Sequence, residues 1–327
     1  MAPAVILVAA LVTSLAIPAA ALARCMGGRA APDAPTALVF SGGGAKGAYE
    51  AAVATTLIRH RVAVRLVAGT SAGALNAAMV AAAVAEDRIE AVDELWGSMR
   101  REQVYGIRPA PVAAGLLPGF FTLMVLDRTG ALLDPEPLRK LIRARLDLGR
   151  VRTSPVAVVV LATDLRRREA RRFDNQSLTV DALMAASSLP GAFPPVEMDG
   201  AVLVDGGLVG RAPVLEALEG GPRVARTLVI MSYAPAEQAE PPRTLRRVIE
   251  EAFETTMVHQ IRRDTELARL RHPEIDIHLL APSAPLALRP LGFDAEGIRR
   301  AQALGRADAV ACLAAWRGQT RAARPAQ

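Results

Sequence analysis

Short apolar runs that turn straight into glycine, and then into helical periodicity, constrain this chain more than any other feature. Ala37-Leu38-Val39-Phe40 leads into Ser41-Gly42-Gly43-Gly44, and residues 47–60 then set Ala48, Ala51, Ala52, Thr55, Leu57 and Ile58 on one helical face. Residues 62–68 repeat the pattern, entering Gly69-Thr70-Ser71-Ala72-Gly73 and a small-residue helix. Further strands are expected at 156–162, 201–204, 226–231 and 275–280. Helices are expected at about 87–100, 134–147, 179–188, 213–219, 243–271 and 294–317. Strands that alternate with helices need long crossovers, so the expectation is an α/β fold. It has three α/β/α layers around a mostly parallel central sheet.

No boundary is forced after residue 36. Residues 36–231 read as one catalytic domain and 232–327 as a C-terminal helical extension packing on it, with 24–35 as a Gly/Pro linker. Residues 4–23 form an uninterrupted apolar run without a charged side chain, closing on Ala21-Leu22-Ala23, a small-x-small pattern. The run reads as a cleaved signal, ahead of a retained anchor and of a lipid-modified Cys25. All three predict an exported body: periplasmic, secreted or attached to a membrane. The net charge of +6 suits an anionic membrane surface. With no zinc-finger spacing and no aromatic-glycine or basic-heptad pattern, nucleic acid is not an expected partner. Two distant cysteines, Cys25 and Cys312, support neither a metal site nor a redox motif, and Cys312 reads as a core cysteine.

Three signals carry chemistry. Gly69-Thr70-Ser71-Ala72-Gly73 lies between a strand and a helix, where a sharp turn lifts a serine hydroxyl clear of the backbone. Gly42-Gly43-Gly44-Ala45-Lys46-Gly47 also opens a helix after a strand. It fits a dinucleotide fingerprint, but residues 61–68 supply no carboxylate to hold a ribose, and the lysine and hydroxyl of a phosphate loop are absent after Gly47. Free N–H groups at such a turn can instead hold an oxyanion. Val204-Asp205-Gly206-Gly207 puts an aspartate at a strand end, where it can act as a base if a serine hydroxyl lies within reach.

In this order, the three motifs resemble the patatin-like phospholipase family. Ala162-Thr163-Asp164-Leu165 and the stretch from Ala186-Ser187-Ser188 to Pro194-Pro195 strengthen the likeness, which covers about residues 36–231. The resemblance implies a Ser71–Asp205 dyad and an oxyanion loop drawn from Gly42, Gly43, Gly44, Lys46 and Gly47. Gly69, Ala72 and Gly73 would shape the elbow, and Gly206 and Gly207 the aspartate turn. It implies a carboxylic ester of a lipid as substrate, by phospholipase A or lysophospholipase chemistry, with no metal and no cofactor. Lys46 stands where arginine is commoner, and Val209-Gly210-Arg211-Ala212-Pro213 lacks the asparagine often found there.

The rival readings are a non-catalytic lipid- or anion-binding protein on the same fold and a nucleotide-binding oxidoreductase. A triad order would admit His259, His272 or His278, whereas His60 only ends a helix. The arginines at 166–168, 171 and 172 read as a solvated hairpin, with contact to phosphate headgroups as the alternative. The proline-broken apolar stretch 101–130 reads as buried packing, a lid or a docking surface.

Overall fold

The computed structural model describes residues 30–31, 33–109, 131–234 and 241–322. In chain order the strands are β1 (Thr36–Phe40), β2 (Val64–Gly69), β3 (Gly106–Ile107), β4 (Leu133–Asp134), β5 (Ala157–Asp164), β6 (Glu169–Phe173), β7 (Val196–Met198), β8 (Ala201–Asp205), β9 (Arg226–Ile230) and β10 (Asp276–Leu280). The helices are α1 (Gly47–Arg59), α2 (Ala72–Ala85), α3 (Glu90–Ser98), α4 (Arg101–Val104), α5 (Glu136–Arg145), α6 (Leu148–Thr153), α7 (Val180–Ala186), α8 (Val214–Gly220), α9 (Leu245–Arg271) and α10 (Ala295–Ala322).

The three layers follow from the alternation of side chains along each strand. Leu38, Phe40, Val67, Val158 and Val160 join one apolar cluster with α1, α2, α3, α7 and α10. Ala37, Val39, Leu66, Ala68 and Val159 join a second cluster, on the opposite face, with α8 and α9. A strand covered on both faces has no polar side, so these segments read as unbroken apolar runs.

Strands β10, β9, β1, β2 and β5 are parallel, as expected. The rest of the sheet is antiparallel: β6 and β8 both pair with β5, and β7 pairs with β8. Since β5 has two edges, this pairing fixes the site. Val160 pairs with Phe173 of β6 and with Gly69 of β2, so β2 takes the edge opposite β6. Ala162 pairs with Arg171 of β6 and with Asp205 of β8, so β8 lies on the same edge as β2. Strands β2 and β8 therefore meet end to end, with Gly69 and Asp205 separated by the width of one β5 residue, Leu161.

Several local details differ from the sequence expectations. The helix expected over 134–147 stops at Arg145, because Asp147 caps a new one by accepting the N–H groups of Gly149 and Arg150. The arginine-rich stretch is the β5–β6 hairpin, with Arg167 paired to Asp164 and Arg171 to Asp199. Cys312 is buried in the core, as expected. None of the described helices is long and apolar enough to cross a membrane. Residues 1–29 and 110–130 lie outside the described residues, and with them the N-terminal apolar run and most of the 101–130 stretch.

Candidate active site

Ser71 sits between β2 and α2 at φ 56 and ψ −133, a left-handed backbone conformation that a residue with a Cβ adopts only when its surroundings enforce it. The enforcing contacts are tight. A Cβ on Gly69 would lie 2.2 Å from the Gly73 carbonyl oxygen, and one on Gly73 would lie 2.7 Å from that of Phe40. The Ser71 N–H donates to the Ala186 carbonyl at 2.9 Å. The turn thus presents the hydroxyl at the N-terminus of α2, where the helix dipole favours negative charge.

Asp205 arrives from the opposite direction. The sequence alone suggested a carboxyl end within a parallel sheet, but β8 is antiparallel to β5 and brings Asp205 down onto the tip of β2. Its backbone N–H donates to the Ser188 carbonyl at 2.9 Å, and its own carbonyl accepts the Thr163 hydroxyl at 2.8 Å. Thr70 Oγ1 donates to the Arg211 carbonyl at 2.7 Å, tying the elbow to the loop after Asp205. A Cβ on Gly206 would lie 2.2 Å from the Leu161 oxygen and 3.0 Å from Thr70 Cγ2. These contacts give the stretches around Thr163 and around Ala186–Ser188 a physical role, because each grips the backbone of Ser71 or Asp205.

The Asp205 carboxyl is 2% exposed. Oδ1 accepts the Gly207 N–H at 2.8 Å and lies 4.0 Å from the Arg211 guanidinium. The Ser71 hydroxyl faces this carboxyl, near enough to pull its pKa down, without closing an ordinary hydrogen bond on Oδ2. Such contacts often tighten only when substrate is bound. Burial outweighs Arg211, Gly207 and Ser71, and holds Asp205 above the usual carboxylate range.

The glycine loop lies beside the elbow. Gly42, Gly43 and Gly44 all have positive φ, at 70, 130 and 59, which no side chain would tolerate here. A Cβ on Gly42 would meet the Thr70 oxygen at 2.4 Å, and one on Gly44 the Pro290 oxygen at 1.9 Å. Not every N–H of the loop is free. Gly42 donates to Glu50 Oε1 at 2.9 Å, and the Gly47 N–H turns back to the carbonyls of Gly44 and Ala45. Among the described residues, the N–H groups of Gly43 and Gly44 have no such partner. The Lys46 side chain is bonded to Glu254 of α9 and lies over the Tyr233 ring, 4.5 Å from its centroid.

Two buried ionisable side chains at the site escaped the sequence reading. Arg211 is 3% exposed and donates to the Tyr233 hydroxyl at 2.8 Å. Glu50 is fully buried beneath the glycine loop. The one available signal for Glu50 was a carboxyl inside an alanine-rich helical face, with Ala48 and Ala51 as neighbours. The histidines stand apart: among the described contacts none reaches Ser71 or Asp205. His278, the most buried, lies in β10, three strands from β2, with its ring centroid 6.3 Å from that of Trp316. No group of described residues is arranged to hold a metal ion.

A serine at a strained strand-to-helix turn, faced by a buried carboxyl, places the chain in the class of α/β/α proteins built around an elbow serine. The family model of the patatin-like phospholipases matches residues 38–218, and the chain belongs to that family. It is 29% identical over 196 residues to the cGAMP-activated phospholipase of Pseudomonas aeruginosa, a match covering 55% of each protein. The chain therefore spans about half the length of this curated relative. Among solved structures it is similar to VipD from Legionella pneumophila, at 16% identity and a TM-score of 0.39, over 84% of this chain and 67% of that one. It is also similar to the heterodimeric ExoU–SpcU complex of the Pseudomonas aeruginosa type III secretion system, at 16% identity and a TM-score of 0.34, over 85% and 52%.

Proposed function

We propose that the protein is a serine acyl hydrolase for carboxylic esters of lipids, of phospholipase A or lysophospholipase type, with Ser71 as nucleophile and Asp205 as base. The observation that carries this reading is Ser71, held at φ 56 with its hydroxyl facing a buried carboxyl whose Oδ2 has no hydrogen-bond partner among the described residues. Membership of the patatin-like family, and likeness to a protein described as a phospholipase, support a phospholipid substrate.

In the first half-reaction Ser71 Oγ bonds to the carbonyl carbon as its proton passes to Asp205 Oδ2. The carbonyl oxygen becomes an oxyanion, and the N–H groups of Gly43 and Gly44 are the donors left to receive it. Collapse breaks the ester bond, and the leaving alcohol takes the proton from Asp205. Water then attacks the acyl-Ser71 ester and gives its proton to Asp205. That proton returns to Ser71 Oγ as the fatty acid leaves. Burial suits Asp205 to this work, since a raised pKa makes it a stronger base. Gly42 and Gly47 shape the loop without donating to the oxyanion, because their N–H groups are already engaged. The same reading includes work at a membrane surface, and export through the apolar residues 4–23.

The test is mass spectrometry of products from mixed phospholipids. Wild-type protein is expected to release fatty acid and lysolipid, and Ser71→Ala neither. Turnover by Ser71→Ala at the wild-type rate contradicts the proposal.

A further inference from the structure

Glu50, in the first turn of α1, is fully buried, and no step of the proposed reaction uses it. Its two oxygens nevertheless join three parts of the site. Oε1 accepts the Gly42 N–H at 2.9 Å and the Ser41 hydroxyl at 2.9 Å, both at the root of the glycine loop. Oε2 accepts Asn76 Nδ2 at 3.3 Å. Asn76 belongs to α2, the helix that starts beside Ser71, and is itself held rigidly. Its Nδ2 also donates to the Gly47 carbonyl at 3.0 Å, and its Oδ1 accepts the Trp96 indole N–H at 2.7 Å.

We propose that Glu50 is a positioning residue for the oxyanion site: its carboxyl fixes the glycine loop against α2, and thereby sets the N–H groups of Gly43 and Gly44 relative to Ser71. The inference rests on the acyl-hydrolase reading above. Turning the Gly42 N–H inward onto Glu50 commits the peptide planes that follow, and among the described residues the next two N–H groups have no partner. Three successive glycines carry no side chains to pack, so the loop is held through its backbone: the Gly42 carbonyl accepts the Ser232 hydroxyl, the Ala45 N–H donates to the Pro290 carbonyl at 2.8 Å, and Glu50 takes the Gly42 N–H. A carboxyl is a costly residue to bury, and here burial pushes it up to about 8 against the pull of Ser41, Arg211, Gly42 and Asn76. An apolar residue would avoid that cost on the same helical face, but would take away the acceptor of the Gly42 N–H and leave Ser41 and Asn76 only their contacts to Gly42, Ser232 and Gly47.

The experiment compares Glu50→Ala, Glu50→Gln and wild type on a soluble aryl oxoester and its matched thionoester. Sulfur accepts hydrogen bonds weakly, so the oxoester-to-thionoester ratio of kcat reads the oxyanion donors, which a purely structural residue would not alter. Glu50→Ala is expected to shrink that ratio about tenfold or more, with KM within about threefold of wild type. Glu50→Gln keeps an oxygen for the Gly42 N–H and is expected to hold the ratio within about threefold. An unchanged ratio in Glu50→Ala, or a loss carried by KM alone, overturns the proposal. Should Glu50→Ala not fold, Asn76→Ala cuts the same tie from the α2 side and must also shrink the ratio. If it does not, the proposal is equally overturned. A wild type that hydrolyses neither ester and resists a fluorophosphonate probe sinks the acyl-hydrolase reading and this inference with it, whereas an active wild type with an unmoved ratio sinks the inference alone.

Discussion

Replacing Arg211 by methionine keeps most of its volume and removes the cation that lies beside the Asp205 carboxyl. The guanidinium lies 4.0 Å from Oδ1, with both side chains shielded from solvent. Two unit charges at that distance attract by about 4 kcal/mol at an effective dielectric of about 20, or about 3 pH units on the carboxyl. Both charges are spread over several atoms, so the working figure is smaller, about two-thirds of that attraction, lost to the ionised carboxylate when Arg211 is removed. Arg211 lowers that pKa, and its loss therefore raises it further. The base works only when ionised, so the acid limb of the kcat/KM profile should move to higher pH by about 2 units. Below the new limb, activity should fall about tenfold per pH unit. The assay is the pH dependence of kcat/KM on a soluble ester, with circular dichroism at each pH to confirm folding. An acid limb that stays within about 0.3 unit of wild type would refute the assignment of Asp205 as the titrating base next to Arg211.

Other outcomes follow from the same geometry. Ser71→Gly should abolish hydrolysis and raise stability by about 1 kcal/mol, because glycine accepts φ 56 without strain; a thermal melt at or below the wild-type Tm contradicts this. Gly44→Ala should destabilise by at least about 2 kcal/mol, since its Cβ would fall 1.9 Å from the Pro290 oxygen at a positive φ, and denaturant titration measures the loss. Glu50 links stability to pH. It ionises near its ordinary value in the unfolded chain and only at about 8 in the folded one, so the folded state holds the extra proton between those limits. Its contribution therefore weakens stability as pH rises from about 4.5 to about 8, by an amount on the order of 5 kcal/mol in all, and Glu50→Gln should flatten that slope in urea titrations across the window.

What was legible in the sequence was the chemistry that sits in one stretch of chain. A glycine-flanked serine after an apolar run can hardly be other than a tight turn, and three glycines after another such run announce a backbone that must come close to something. What was illegible depends on direction and distance. Asp205-Gly206-Gly207 reads the same whether its strand runs parallel or antiparallel to its neighbour, yet only the antiparallel course of β8 brings Asp205 to the tip of β2. Glu50 and Arg211 look like ordinary surface charges until Asn76, Tyr233 and the glycine loop close around them, and those partners come from other elements. Pro290 and Glu254, which brace the loop, lie beyond the stretch the family model matches, where no motif marks them. The break at Arg145 did carry a signal, Asp147 two residues before Gly149, a cap inside what periodicity alone extends as one helix.

The most direct measurement of the central claim is the site of labelling by a fluorophosphonate, located by peptide mass spectrometry on intact, folded protein. A single adduct on Ser71 in the wild type, slowed at least about a hundredfold in Asp205→Asn, is the predicted result. An adduct on another residue, or labelling of Ser71 that proceeds as fast without the Asp205 carboxylate, would contradict it.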